Sequence, residues 1–448
     1  MSSSFTAPSY AAVLRTPYAR RTFGAALLGR LSYGMVSLAL VLAVRRATDS
    51  YAAAGSVMAV FGLTSVFLSP ARAALVDRYG PRRVLPVMAA VYAALLTALA
   101  LATAWSGASG VVLGVLAGAA GAATPPLGPV MRSLWSTLVP DRGLLQRAYS
   151  LDGVAEELLF VTGPLLVGVL VKVAVPSVGL AVSAALALTG ALALATSPAA
   201  GGWAAAGKTE DGGTPARSAG RPGLGQAIAV AAGVGMALGA LDLLVIAFAD
   251  ERDASAVVPW VLAALSAGSA VGGLVYGAVP WRSSSRLRLS VLAVALGLVL
   301  AATGLSPHPY VLIVGAALGG LFVAPAVTTA YLIADECARP GARTKAGAWV
   351  NTALNAGSSS ATAGAGLLVG RLPLPVCFAL AAAPVVLSAA TGLRGRRRSA
   401  PPAPLDEEPT EGPDAEQQRH GYDVGRFSAL HSIGRCGGPV RRRMFSHR

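Results

Sequence analysis

The chain has 448 residues; 54% are hydrophobic, 13% are charged, and the formal net charge is +15. A soluble domain is about 25% charged, so a composition this apolar excludes a protein solvated by water alone and makes lipid the solvent for much of its surface. In that solvent an excess of arginine reads as basic loops on one face of a membrane, with no nucleic-acid partner.

A helix that crosses a bilayer needs roughly 20 mostly apolar residues, and the sequence supplies twelve such stretches. Residues 1–22 are polar and basic, with no apolar core followed by a cleavage site, and read as a retained cytoplasmic segment. Span 1 (23–44) carries Arg30, span 2 (51–76) runs into the charged loop VDRYGPRRVLP, and spans 3 and 4 follow at 83–104 and 108–131. Span 5 (144–171) holds the acidic run SLDGVAEELLF and then VTGPLLVGVL; span 6 covers 177–197. A Gly/Ala/Pro-rich linker, 198–223, precedes spans 7 to 12 at 224–249, 254–279, 286–305, 309–334, 346–370 and 372–393. Residues 394–448 are rich in Arg, Pro and acids and read as a disordered cytoplasmic tail. The expected fold class is an all-α membrane protein whose domains, 23–197 and 224–393, are six-helix bundles.

Charge supports the count. With both termini inside, 23 of the 36 lysines and arginines fall in inner segments, Arg72 and Arg132 among them, and five fall in outer ones. That bias fits the positive-inside rule, and a missed span would scramble it. The halves also repeat weakly: Pro126 and Pro325, Pro140 and Pro340, and Arg147 and Lys345 correspond at an offset near 200 residues. Two like-oriented halves with a site between them near mid-membrane is a common carrier design.

An ionisable group in hydrocarbon costs at least about 2.5–3.5 kcal/mol, which makes each one a functional candidate. Asp152 and Glu156 lie four apart and share a helix face; Glu157 points about 100° away. Counted from the start of span 5, Asp152 lies roughly 12 Å deep and Glu156 roughly 18 Å. Glu156 is the expected carboxylate for a proton or a cationic substrate. Arg30, roughly 10 Å deep in span 1, is placed to meet Asp152 in a buried ion pair, which would leave Glu156 free. Asp242 in span 7 faces either the cavity or the external mouth. Asn351 and Asn355 in span 11 share a face and serve either helix packing or a polar cavity wall.

The loop ALVDRYGPRR resembles the motif between the second and third helices of the major facilitator superfamily. Asp77, Arg78 and Gly80 fit the pattern; Pro81 takes a basic position, displacing Arg82 and Arg83, and Ala73 replaces the first glycine. The resemblance implies a latch in which Asp77 meets the positive N-terminus of helix 11 across the two halves. The alternative is a plain basic turn. Gly163, Pro164 and Gly168 partly resemble the helix 5 signature of antiporters in the same superfamily; a kinked packing helix explains them equally. Span 4 lacks the arginine in the pattern of many proton-coupled members, so proton coupling is not carried over from the resemblance there.

The expectation that results is a monomeric secondary transporter in a cell membrane, inner or plasma. It would export small amphipathic molecules by alternating access, with protons as coupling ion and the lipid bilayer and a small-molecule substrate as its partners. An importer of a nutrient or metabolite with the same fold, or a transport-dead membrane sensor, are the rivals. Neither an enzyme nor a cofactor or metal is expected: Cys337, Cys377 and Cys436 have no ligand spacing, and the four histidines form no constellation.

Overall fold

The structure is a computed structural model, and it describes residues 9–104, 107–139, 141–203, 222–339 and 341–398. The expected tail beyond 398, Cys436, Pro140, Pro340 and most of the 198–223 linker lie outside the described residues. The rest is almost all helix: α1 (Tyr10–Arg15), α2 (Ala19–Thr48), α3 (Tyr51–Phe67), α4 (Ser69–Tyr79), α5 (Pro81–Ala102), α6 (Gly110–Ala123), α7 (Leu127–Leu138), α8 (Arg142–Val173), α9 (Ser177–Ala195), α10 (Pro198–Gly201), α11 (Pro222–Asp250), α12 (Val258–Ala278), α13 (Ser285–Thr303), α14 (Pro309–Cys337), α15 (Arg343–Leu368) and α16 (Leu374–Arg398). Such a fold satisfies its backbone polar groups within each helix, as hydrocarbon requires.

Nine of the described helical stretches are long and apolar enough to cross a membrane, and ten if the bent pair α3–α4 is one span. The other two expected spans correspond to α15 and α16. The interior of α15 carries Asn351, Thr352, Asn355, Ser358, Ser359, Ser360 and Thr362, and α16 contributes the apolar stretch Leu374–Ala390. A helix this polar is tolerated at membrane depth where it is buried in protein or lines an aqueous cavity.

The helices assemble as two bundles. In the first, α2 packs on α8 and α9, α5 on α6 and α9, and α3 on α6; in the second, α11 packs on α15 and α16, α12 on α14, and α13 on α14 and α16. Contact between the bundles runs through α8 against α12 and α14, and through α15 against α4 and α7.

Spans 2 and 4 are both interrupted. The chain turns by 42° between α3 and α4, and Thr124, Pro125 and Pro126 separate α6 from α7. Consecutive prolines remove two donors and push the residue before them out of the helical region. The single Pro325 in the corresponding span 10 leaves α14 continuous, so here the two copies of the repeat diverge. The carbonyls released at the breaks find partners. Arg72 donates to Gly121 O at 2.7 Å, to Ala122 O at 3.1 Å and to Ser65 O at 2.5 Å. The Tyr33 hydroxyl donates to Pro125 O. Arg72 and Arg132, counted among the inner segments in the sequence, are both 5% exposed and sit inside helical bundles; removing the two leaves 21 inner basic residues against five, which keeps the sign of the bias.

Candidate functional site between the two bundles

Gly80 ends α4 with φ +83°, a backbone region open to glycine, and Pro81 begins α5. The turn fixes Asp77 at the edge of the first bundle. Its carboxylate accepts the backbone N–H of Thr344 at 3.2 Å and of Lys345 at 2.8 Å. These are unpaired donors of the first turn of α15, where the helix dipole also favours an anion. The contact crosses between the bundles. Arg78 and Arg83 are exposed, and Arg82 donates to Ser197 O at 3.5 Å. Changing Asp77 to Asn removes the charge and should weaken this contact by about 0.3–1 kcal/mol, raising the ratio of molecules parted at this face about two- to five-fold. The distance distribution between spin labels at Tyr79 and Gly341 measures the change; an unaltered distribution would assign Asp77 to local turn structure only.

Below the surface of this seam lies a ring of four charges. Arg30 Nη1 donates to Asp152 Oδ1 at 2.7 Å, and Arg132 Nη2 donates to Glu156 Oε2. Arg30 Nη2 stands 2.9 Å from Glu156 Oε2, and Arg132 Nε stands 3.0 Å from Asp152 Oδ2. The guanidinium of Arg132 also lies over the ring of Tyr331, 3.9 Å from its centroid, and that ring belongs to the second bundle. Three helices of the first bundle supply the ring of charges: α2 gives Arg30, α7 gives Arg132, and α8 gives both acids one turn apart. The sum is neutral, the condition under which buried charge survives in a low dielectric.

Asp152 is wholly buried in this ring, whereas 29% of the Glu156 side chain is exposed. The expected free Glu156 is therefore corrected: it is paired with two arginines. Arg132 lies one residue past the expected end of span 4 at 131. The apolar pattern of GPVMRSLWSTLV continues to Val139, and that continuation was the available signal.

Glu157 takes a different direction. It accepts the Ser269 hydroxyl of α12, across the bundle interface. Asp242 is exposed on α11 and makes no hydrogen bond or ion pair among the described residues. The Asn351 side-chain oxygen accepts the Tyr331 hydroxyl at 3.4 Å, and Asn355 donates to Asn351 O in its own helix at 2.8 Å. Helices α2 and α8 cross with backbone in contact. A Cβ on Gly163 would lie 2.4 Å from the Gly34 carbonyl carbon, while a Cβ on Gly168 would meet nothing within 4 Å. Pro164 lies inside a continuous α8.

The hydrogen bonds between bundles lie from mid-span to the basic loops. Gln146 donates to Tyr276 O at 2.8 Å, Arg147 to Ala278 O at 2.8 Å, Arg288 to Gln146 Oε1 at 2.9 Å, and Thr352 to Val66 O at 3.1 Å. Arg142 and Glu336 form an ion pair at 2.7 Å. On the other side of Glu157, α8 exposes Phe160, Val161, Leu165 and Val169.

A two-bundle helical protein with a neutral ring of buried charge at its centre has the build of a membrane carrier. The chain belongs to the Major Facilitator Superfamily, which it matches over residues 22–288 and again over 227–430; it is a multi-pass membrane protein of a transporter family. A sequence comparison with curated proteins finds no match. Among solved structures, the human organic anion transporter MFSD10 (TETRAN) is similar at 16% identity and TM-score 0.65, over 86% of this chain and 100% of that one. A bacterial homologue of the iron transporter ferroportin in an outward-facing state is similar at 14% identity and TM-score 0.64, over 85% and 99%. A bacterial homologue of ferroportin in an outward-facing state with soaked iron is similar at 13% identity and TM-score 0.63, over 84% of this chain and 98% of that one. At these identities the likeness extends to the fold.

Proposed function

We propose that the chain is a secondary active transporter of twelve spans that exports small amphipathic molecules by alternating access, in exchange for protons. Its bundles, with both termini on the cytoplasmic side of an inner or plasma membrane, rock about the charge ring. One observation carries this reading: among the described residues the hydrogen bonds that tie the bundles together lie from mid-span to the basic loops, and the positive-inside rule puts those loops in the cytoplasm. The described state is thus sealed on the cytoplasmic side, with Asp77 on α15 as the latch. Above the seal, the apolar face of α8 and the partly exposed Glu156 suit a molecule with an apolar body and a cationic group. Such a group would compete with Arg30 and Arg132 for Glu156.

Ethidium, an amphipathic cation, tests the proposal. Cells producing the protein should accumulate several-fold less ethidium than cells without it, and a protonophore should abolish the difference. Replacing Glu156 by Gln should abolish it as well. Full activity of that variant would remove Glu156 from the site, and protection that survives the protonophore would overturn proton coupling. A second reading has one observation in its favour: Arg132 Nη1 is buried without a hydrogen-bond partner, and the carboxylate of an organic anion would satisfy it. Fluorescein in place of ethidium separates the two.

A further inference from the structure

The short helix α1 precedes the first span. The Ser9 side chain caps it by accepting the Ala12 N–H at 3.2 Å. A helix of 6 residues is too short to persist in water by itself, so packing must hold it. Val13 is fully buried, Leu14 packs against the same core, and α1 lies on α8 and α2, both of the first bundle. The turn that joins α1 to α2 is sharp. Tyr18 stands there with φ +66°, a backbone region that a bulky residue occupies only where its surroundings hold it.

The effect of the turn is to aim Tyr10 across the seam between the bundles. The Tyr10 hydroxyl donates to Leu274 O of α12, in the second bundle. It fills the space that a side chain at Gly277 would need. A Cβ on Gly277 would lie 2.3 Å from the Tyr10 hydroxyl oxygen and 2.8 Å from the Ser150 side chain of α8. The socket is thus bordered by one helix from each bundle, and the glycine leaves it open. It lies in the basic half of α12, beside the bonds of Gln146 to Tyr276 O and of Arg147 to Ala278 O.

We propose that α1 is a strap that holds the basic side sealed, with Tyr10 as its bolt and the Leu274–Gly277 face of α12 as the socket. The proposal rests on the rocking of the two bundles described under Proposed function. By connection and packing α1 moves with α2 and α8, whereas the socket moves with α12. Parting the bundles on the basic side therefore pulls Tyr10 out of the socket, and α1, left without that anchor, frays. A contact made in only one of two states shifts the population toward that state. Binding from the basic side is reduced in proportion to the fraction of molecules that are parted, so the strap sets how readily the carrier loads there. Asp77 ties α4 to α15; α1 acts at the other seam, between α8 and α12.

The test uses the full chain in lipid nanodiscs, with spin labels at Thr137 and Ser283, which are exposed on the basic side of the first and the second bundle. A short distance reports the sealed state and a long one the parted state. Tyr10→Phe removes only the hydroxyl and should raise the ratio of long to short about two- to ten-fold, the range for one lost hydrogen bond. Ser9→Ala leaves the socket intact and removes the cap of a helix that is formed only when docked. It should move the ratio in the same direction, about two-fold or more, and Ser9→Asp, an equally good cap, should restore it. An unaltered ratio in Tyr10→Phe, or in Ser9→Ala, would overturn the strap. One and the same distance in every variant, Asp77→Asn included, would overturn the rocking reading itself and the strap with it.

Discussion

Replacing Arg132 by Ala is expected to destabilise the folded protein by about 3–5 kcal/mol and to abolish transport. The size follows from what is left behind. Asp152 is fully buried and takes its charge compensation from Arg30 at 2.7 Å and Arg132 at 3.0 Å. Without Arg132, one guanidinium faces two carboxylates in a low-dielectric interior, and an uncompensated buried charge of this kind is what makes half of an ion pair so costly to delete. Tyr331 would also lose the cation over its ring, a contact worth about 0.5–2 kcal/mol. The double variant Arg132→Met with Glu156→Gln restores neutrality, so at least half of the lost stability should return while transport stays absent. Thermal unfolding in detergent measures the first quantity and ethidium efflux the second. A double variant no more stable than the single one would show that the ring contributes packing and not charge balance.

The second large effect is steric. Gly163→Ala should cost about 1–3 kcal/mol, the usual range for forcing extra volume into a packed interior, because the new Cβ would fall 2.4 Å from the Gly34 carbonyl carbon and 2.7 Å from its Cα. Neither is a side-chain end that can swing away. Gly168→Ala, five residues further along α8, meets open space and should be neutral or gain up to about 1 kcal/mol from helix propensity. Yield of folded protein and unfolding midpoints would read both. Equal effects at the two sites would remove the crossing argument, and a Pro164→Ala loss as large as that of Gly163→Ala would return the function of the segment to a kink.

The parts of this protein that were legible in its sequence are those encoded by neighbours along the chain. Apolar length and loop charge located the helices, and the turn at Gly80 and Pro81 could be read from the residues themselves. The meeting of Arg30 with Asp152 was accessible because depth in a bilayer can be counted at 1.5 Å per residue. Arg132 was hidden because the expected span 4 stops at 131, one residue short, whereas α7 runs on to Leu138 and carries the arginine into the bundle. Glu157 was set aside as pointing away from its neighbours. It does point away, but toward a helix 112 residues further along, and helical periodicity says which way a side chain faces without saying what stands there.

The single guanidinium of Arg72 caps the C-terminal ends of both α3 and α6, since its carbonyl partners belong to the last turns of those two helices. Two elbows in different spans therefore share one pivot pin. Loss of that one side chain would leave carbonyls at both elbows without this donor, so the bends of spans 2 and 4 depend on a single residue.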